Sequence, residues 1–377
     1  MKKLVAILLI AALALSMVAC SSASTPAPAA ATEATDAAAA ATDATATETA
    51  AADTSVNATV IWRAFDDQYQ SGFRIIMQAE ADKMTGIALD MQDGENDVTK
   101  TTNKLEAALT KGTDAVAICA PDTESTNSLM LKCKDESVPV VFFNMMPTED
   151  TMNAYDKAWY VGAEASESGA MCAQALINYW NANKTVADKN GDGKLQLAIL
   201  QGEIGNNDVI LRTAAYEDTL KAQGIDYEIV AMDTANWDKG QALDKMNAWI
   251  TAFGIDGIEG VLCNNDGMAM GAVQAALNNG YNTGDPAKFL PIVGIDATVE
   301  ALQAMKDGSL LGTVLNDRTN QSIAVINVLK AAVAGTPVTE DVVGVPCKVD
   351  GKYIWIPYQI VDSTNLDAVL EVMLSVS

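Results

Sequence analysis

The sequence contains no histidine at all. Catalysis by Ser-His-Asp or Cys-His pairs and the common His-ligated zinc sites are therefore excluded. Basic residues are scarce as well: 24 Lys and Arg stand against 49 Asp and Glu, and two of the 24 are Lys2 and Lys3 at the start of the chain. A phosphate backbone needs a basic face, so nucleic acid is excluded as a partner. Cysteine is also rare. With Cys20 set aside, Cys119, Cys133, Cys172, Cys263 and Cys347 remain, an odd number without metal-type spacing. Several lie in apolar runs such as AVAICA and GVLCNND, so buried free thiols are expected rather than a disulfide framework. The apolar run at the N-terminus, from Leu4 to Ala19 and broken by Ser16, falls short of the roughly 20 residues of a bilayer span.

What is present begins with that run. Lys2 and Lys3 before it, and small Ala19 and Cys20 closing it, form a secretory signal over residues 1–20. Cys20 follows Met17-Val18-Ala19, where cleavage of a bacterial lipoprotein signal would leave a lipidated N-terminal cysteine. Residues 21–56 are almost wholly Ala, Thr, Ser, Pro, Glu and Asp, a composition that buries too little to offset the entropy of ordering. A tether at a membrane surface is expected.

Beyond it, short apolar runs alternate with longer amphipathic segments, the pattern of βα units around parallel sheets. Strands are expected at Thr59–Phe65, Ile87–Met91, Asp114–Cys119 and Val138–Asn144, then at Leu195–Gln201, Tyr227–Met232, Glu259–Cys263, Leu290–Ile295 and Thr313–Leu315. Helical spacing marks Ser71–Met84, Thr99–Leu109 and Ile210–Ala222. Two series of strands imply two α/β lobes.

Open α/β sheets hold ligands beyond the carboxyl ends of their strands. Polar residues recur there: Asp66 and Asp67, Asn144, Asn206, Asp208 and Arg212, Asp233 and Trp237, Asn265 and Asp266, Asp296, and Asn316 and Asp317. Any one of them could be a helix cap. Together they suit carbohydrate, whose hydroxyls donate to carboxylates and accept from Asn and Arg, while its C–H faces pack on aromatic rings such as Tyr69 and Trp237.

A separate motif is Asp188-Lys-Asn190-Gly-Asp192-Gly193-Lys194-Leu-Gln196. Oxygen side chains at positions 1, 3 and 5, Gly at 6, a carbonyl at 7 and an oxygen ligand at 9 reproduce most of an EF-hand calcium loop. Position 12, normally a bidentate Glu, is Ile199 here. Either a carboxylate from elsewhere completes a structural calcium site, or the segment is a Gly-rich turn.

The segments VPVVFFN, YDKAWYVGAEASESG, DKNGDGKLQLAILQGE, MDTANWD, LDKMNAWI, CNNDGMAMGAVQAAL and GTVLND make the chain resemble the periplasmic glucose/galactose-binding proteins of sugar ABC transport and chemotaxis, from Ala58 to Leu366. The resemblance implies the type I periplasmic binding protein fold, two doubly wound parallel-sheet lobes joined by a three-crossing hinge. It places the first lobe at 57–163 and 317–350 and the second at 164–316 and 351–377. Carried over by position, the family's sugar contacts fall on Asp67, Tyr69, Asn144, Asp208, Arg212, Trp237, Asn265, Asp296 and Asn316, with Tyr69 and Trp237 sandwiching the ring. Its calcium ligands fall on Asp188, Asn190, Asp192, the Lys194 carbonyl, Gln196 and a remote Glu259. The well-studied relatives carry a His where this chain has Asn206, which leaves the choice between glucose, galactose and related sugars open.

The expectation is a monomeric, non-enzymatic, lipid-anchored extracytoplasmic protein that binds D-galactose or D-glucose, closes about its hinge and delivers the sugar to ABC permease subunits. A sugar-sensing lipoprotein for a chemoreceptor or kinase is the alternative of the same form. A glycoside hydrolase using Asp67 and Asp208 is a third reading, from another class.

Overall fold

The central apolar runs of this chain are four to seven residues long and buried almost throughout, as strands covered on both faces require. In the computed structural model, which describes residues 55–375, they assemble into two main sheets. The strands are β1 (Val56–Trp62), β2 (Ile87–Asp93), β3 (Ala115–Ile118), β4 (Val140–Phe143), β5 (Ala158–Gly162), β6 (Leu195–Gln201), β7 (Tyr227–Thr234), β8 (Gly260–Cys263), β9 (Ile292–Val293), β10 (Thr313–Leu315), β11 (Lys348–Asp350), β12 (Tyr353–Trp355) and β13 (Gln359–Val361). The first sheet runs β11-β12-β5-β4-β3-β1-β2 and the second β7-β6-β8-β9, with β10 and β13 as a short antiparallel pair. Single bridges from Val293 to Gly312 and from Asp296 to Leu315 attach that pair to the second sheet. All pairings in the two main sheets are parallel except β11 with β12.

Each sheet has its own core. Trp62, Phe73, Phe142 and Phe143 pack with Ala324, Val325 and Leu329 of the helix Arg318–Ala334 over the first sheet. Trp62 meets Phe73 and Phe143 edge to face at 5.3 and 4.9 Å, a geometry that adds roughly 0.5–1.5 kcal/mol per pair beyond burial. Cys172, Leu176 and Trp180 of the helix Ala165–Ala182 cover one face of the second sheet, and Met268 and Val273 of the helix Asp266–Asn278 cover the other. The chain passes between the sheets after β5, after β10 and between β12 and β13. The last passage differs from the expected boundary at residue 350: β12 pairs in parallel with β5, Tyr353 opposite Tyr160, and keeps the chain in the first sheet through Trp355. With only three residues in each of β11 and β12, the hairpin was too short for its period to be read.

Cys119, Cys133, Cys172 and Cys263 are buried free thiols and Cys347 is half-buried. Burial pushes the Cys133 and Cys172 thiols up to about 12. Residues 1–54, with the export signal, Cys20 and nearly all of the tether, lie outside the described residues. No helix among the described residues is long and apolar enough to cross a membrane.

Candidate functional site

Helix caps place the first members of the site. Asp67 caps the helix Gln68–Lys83, its Oδ1 accepting from the Gln70 amide at 2.8 Å. Asn206 caps Asn207–Ala222, with Oδ1 accepting from the Asp208 and Val209 amides, and Asn265 caps Asp266–Asn278 by accepting from Met268 N at 2.9 Å. Capping uses one oxygen of each. Asn206 Nδ2 and the outer Asp67 oxygen are left to face the space between the sheets.

Nine non-glycine residues among those described have positive φ, and Asn144 (60°), Trp237 (64°) and Asp296 (129°) are three of them. Asn236 and Ala297 flank two of these. Left-handed backbone costs about 1–3 kcal/mol at each such residue and persists where the surroundings over-determine it, often at functional sites. Trp237 also needs Gly202, because a Cβ there would lie 2.3 Å from the indole.

All ten residues expected to contact sugar, Asp67, Tyr69, Asn144, Asn206, Asp208, Arg212, Trp237, Asn265, Asp296 and Asn316, line one cavity. They come from the loops after β1, β4, β6, β7, β8 and β10, from the helix starts that follow β1 and β6, where Tyr69, Asp208 and Arg212 lie, and from the strand-end bend at Asp296. Tyr69 belongs to the first sheet's side and Trp237 to the second's. Above the cavity Arg63 Nη2 meets Glu203 Oε1 at 2.6 Å and Gln68 Nε2 meets Glu300 Oε2 at 3.3 Å, so the loops of the two sheets are drawn together.

Arg212 is fixed on three sides: Nε donates to Ser168 Oγ at 3.1 Å, Nη1 to the Asn264 carbonyl at 2.8 Å and Nη2 to Tyr358 Oη at 3.0 Å. Its guanidinium stands 5.9 Å from the Trp237 ring centre and 3.3 Å from Asp208 Oδ2. Burial raises the Asp208 carboxyl above the ordinary range, and Arg212 and Arg63 oppose it. Burial holds Asp296, 4% exposed, well above that range; Arg212 and Arg318 pull it down, while Asp266 and Asp67 push it up. Arg318 lies 5.5 Å from the Tyr69 ring centre and passes over Gly72, where a Cβ would meet its Nη1 at 2.3 Å.

Several buried polar atoms here have no partner within the protein: Tyr69 Oη, Gln70 Oε1 and Trp237 Nε1. A buried polar atom without a partner costs about 1–3 kcal/mol. Water or a polar ligand in the cavity would satisfy them.

Other strand-end residues do not reach it. Asp266 is fully buried and accepts from Thr313 Oγ1 at 2.6 Å and Thr298 N at 2.8 Å; Asp233 pairs with Lys245; Asp317 caps its own helix. Arg63, Gln70 and Met145 line the cavity and were missed. Gln70 bonds Asn144 Oδ1 at 2.8 Å, and its place one turn after Asp67 was the available signal. Met145, next to Asn144, gave only adjacency.

The 188–196 segment forms a tight loop. Asp188 accepts from Gly191 and Gly193 amides, Asn190 Oδ1 from Asp192 N, and Asp192 Oδ1 from Lys194 N. Fully buried Glu259 reaches it from before β8, taking Lys189 N at 2.5 Å and Gln196 N at 3.2 Å. Gln196 Oε1 is buried without a partner. No group of three or more His, Cys, Asp or Glu among the described residues is placed to hold a metal ion alone; here the Asn190, Gln196 and Lys194 oxygens would have to contribute. An oxygen-only set with one orphaned oxygen fits a hard cation.

Two sheets meeting at their carboxyl ends around a polar cavity, with three chain crossings, describe a two-lobed solute receptor. Residues 58–337 match the periplasmic binding protein domain. The chain belongs to that family, with the type I fold. It is similar to the D-galactose/methyl-galactoside binding periplasmic protein MglB of Haemophilus influenzae, 37% identical over 302 residues that span 80% of this chain and 88% of that protein. The xylitol-binding protein of Mycolicibacterium smegmatis is 31% identical over 259 residues, 69% of this chain and 67% of that one. Among solved structures, an ABC transporter solute binding protein from Bacillus halodurans with bound myo-inositol superposes with a TM-score of 0.70 at 24% identity, covering 85% of this chain and 98% of that one.

Proposed function

We propose that this chain is the extracytoplasmic substrate-binding protein of an ABC sugar importer, taking D-galactose or D-glucose between its lobes and presenting the closed form to permease subunits. One observation carries the reading: ten polar and aromatic strand-end residues from both sheets line a single cavity. Partnerless Tyr69 Oη and Trp237 Nε1 are what a ring of hydroxyls would satisfy. The similarity to a galactose-binding relative supports the sugar class. Asp67, Asp208 and Asp296 accept from sugar hydroxyls, Asn144, Asn206, Asn265, Asn316 and Arg212 donate, and Tyr69 and Trp237 pack on the ring faces. The chain performs no chemistry on the sugar.

The same reading extends to a lipid on Cys20, a monomeric state, and a structural calcium ion held by Asp188, Asn190, Asp192, the Lys194 carbonyl, Gln196 and Glu259. The closed face would also suit a chemoreceptor. Calorimetric titration with a panel of monosaccharides tests the core claim: tight binding of galactose or glucose is expected, and binding of neither refutes it. Mass spectrometry of the membrane-extracted protein tests the Cys20 lipid.

A further inference from the structure

A second, more open cavity adjoins the first. Asp208 lines both. So do neighbours in sequence: Met145 and Asn206 line the first, and Met146 and Asn207 the second. The partition is thus one short seam between the loop after β4 and the start of the helix Asn207–Ala222. Its second-lobe side is held by bonds within that helix, Asn206 to the Asp208 and Val209 amides and Asp208 to Arg212. Its first-lobe side is a methionine pair, unbranched side chains that repack easily.

The second cavity has an aromatic floor. Tyr353 and Trp355, alternate residues of β12, share one face of the sheet, and their rings are parallel within 3° at 5.7 Å. Tyr160 stands edge-on to both, at 6.2 and 5.6 Å. Its hydroxyl donates to the Asn144 carbonyl at 3.1 Å, an approach that Gly162 permits, since a Cβ there would lie 2.1 Å from that oxygen. The floor of one cavity is therefore bonded to a wall of the other. Glu149, Glu164, Ser166 and Asn207 bring polar groups to the same cavity, while the nearby cation Lys352 is already committed to the Met152 and Tyr155 carbonyls. Aromatic faces among hydroxyl, amide and carboxylate groups, with Lys352 so engaged, suit a sugar ring and disfavour an anion.

We infer that the protein accepts neutral hexosides: the hexose occupies the first cavity and a second sugar ring lies across the seam on Tyr353 and Trp355. The inference rests on the sugar-binding function proposed above and names its ligand class more closely. Titration of the whole protein with galactose, glucose, and galactose- or glucose-ended disaccharides linked 1→4 and 1→6 tests it. At least one disaccharide is expected to bind within about tenfold of its parent monosaccharide, and Trp355→Ala to weaken that disaccharide about tenfold. Monosaccharide affinity stays within about twofold in the same variant, because Trp355 lies outside the first cavity. Ser166→Phe, which fills the second cavity without removing the floor, should likewise block only the disaccharide. Monosaccharide binding with every disaccharide rejected, or equal losses for both ligand types in both variants, overturns the inference and leaves the sugar-receptor function standing. Failure of every sugar overturns that function instead.

Discussion

The strand-end cavity and the 188–196 loop are both rich in side-chain oxygens, yet they are satisfied in opposite ways. In the loop, Asp188, Asn190, Asp192 and Glu259 accept from nearby backbone amides, and Gln196 Oε1 is a lone partnerless atom. In the cavity, Tyr69 Oη, Gln70 Oε1 and Trp237 Nε1 have no partner, and three residues hold left-handed backbone. One region is folded by its own bonds; the other is held open by its neighbours. Variants of the cavity should therefore change affinity, and variants of the loop should change stability.

Asp296→Ala is the strongest way to break that contrast. Loss of a buried charged acceptor is expected to weaken sugar binding by about 100-fold or more, measured by calorimetry. The melting temperature without sugar should not fall, since the folded state holds this carboxyl against the cost of burial. A lower melting temperature with unchanged affinity would place Asp296 among structural residues such as Asp266. Next in size, Trp237→Ala should cost about tenfold or more in affinity, with loss of any sugar-induced change in tryptophan fluorescence.

The cavity also predicts opposite responses to pH. Burial raises Asp296 well above its ordinary value and Asp266 to about 6. Groups with a raised pKa bind protons more tightly in the folded state, so both favour the sugar-free fold as pH falls, Asp266 through about 6 and below. Sugar hydroxyls donate to the ionised form of Asp296, so affinity should fall as that carboxyl takes up a proton. Melting curves with and without sugar at pH 7.5 and 5 check both signs; parallel shifts would remove Asp296 from ligand contact.

The loop supplies the smallest effect on binding. Glu259→Gln, or a chelator on the sugar-free protein, should lower the melting temperature by several degrees, as loss of a ligand bound only to the folded state does. Sugar affinity should stay within about twofold. An unchanged melting temperature would reduce the motif to a turn.

Local signals made much of this legible. β6 and β10 lie where their apolar runs placed them, and the helix Asn207–Ala222 ends where its spacing did. Asp67, Asn206 and Asn265 announce themselves by position, because a cap is decided by the next three residues. β5 and β11–β13 were not read, since strands of three to five residues acquire their identity from partners far along the chain, as Tyr353 does opposite Tyr160.

What the sequence alone determined is therefore what depends on near neighbours: alternation of strand and helix, the absence of histidine chemistry, the tight Gly-rich loop at 188–196, and the set of polar residues ending strands. Tertiary structure decided which of that set lines the cavity. Asp266 and Asp296 look alike in sequence, but one is absorbed by Thr298 and Thr313 and the other turns into the cavity. It also joined Arg212 to Tyr358 across 146 positions. Packing of one sheet's loops against the other's has no local period, and residue spacing could not encode it.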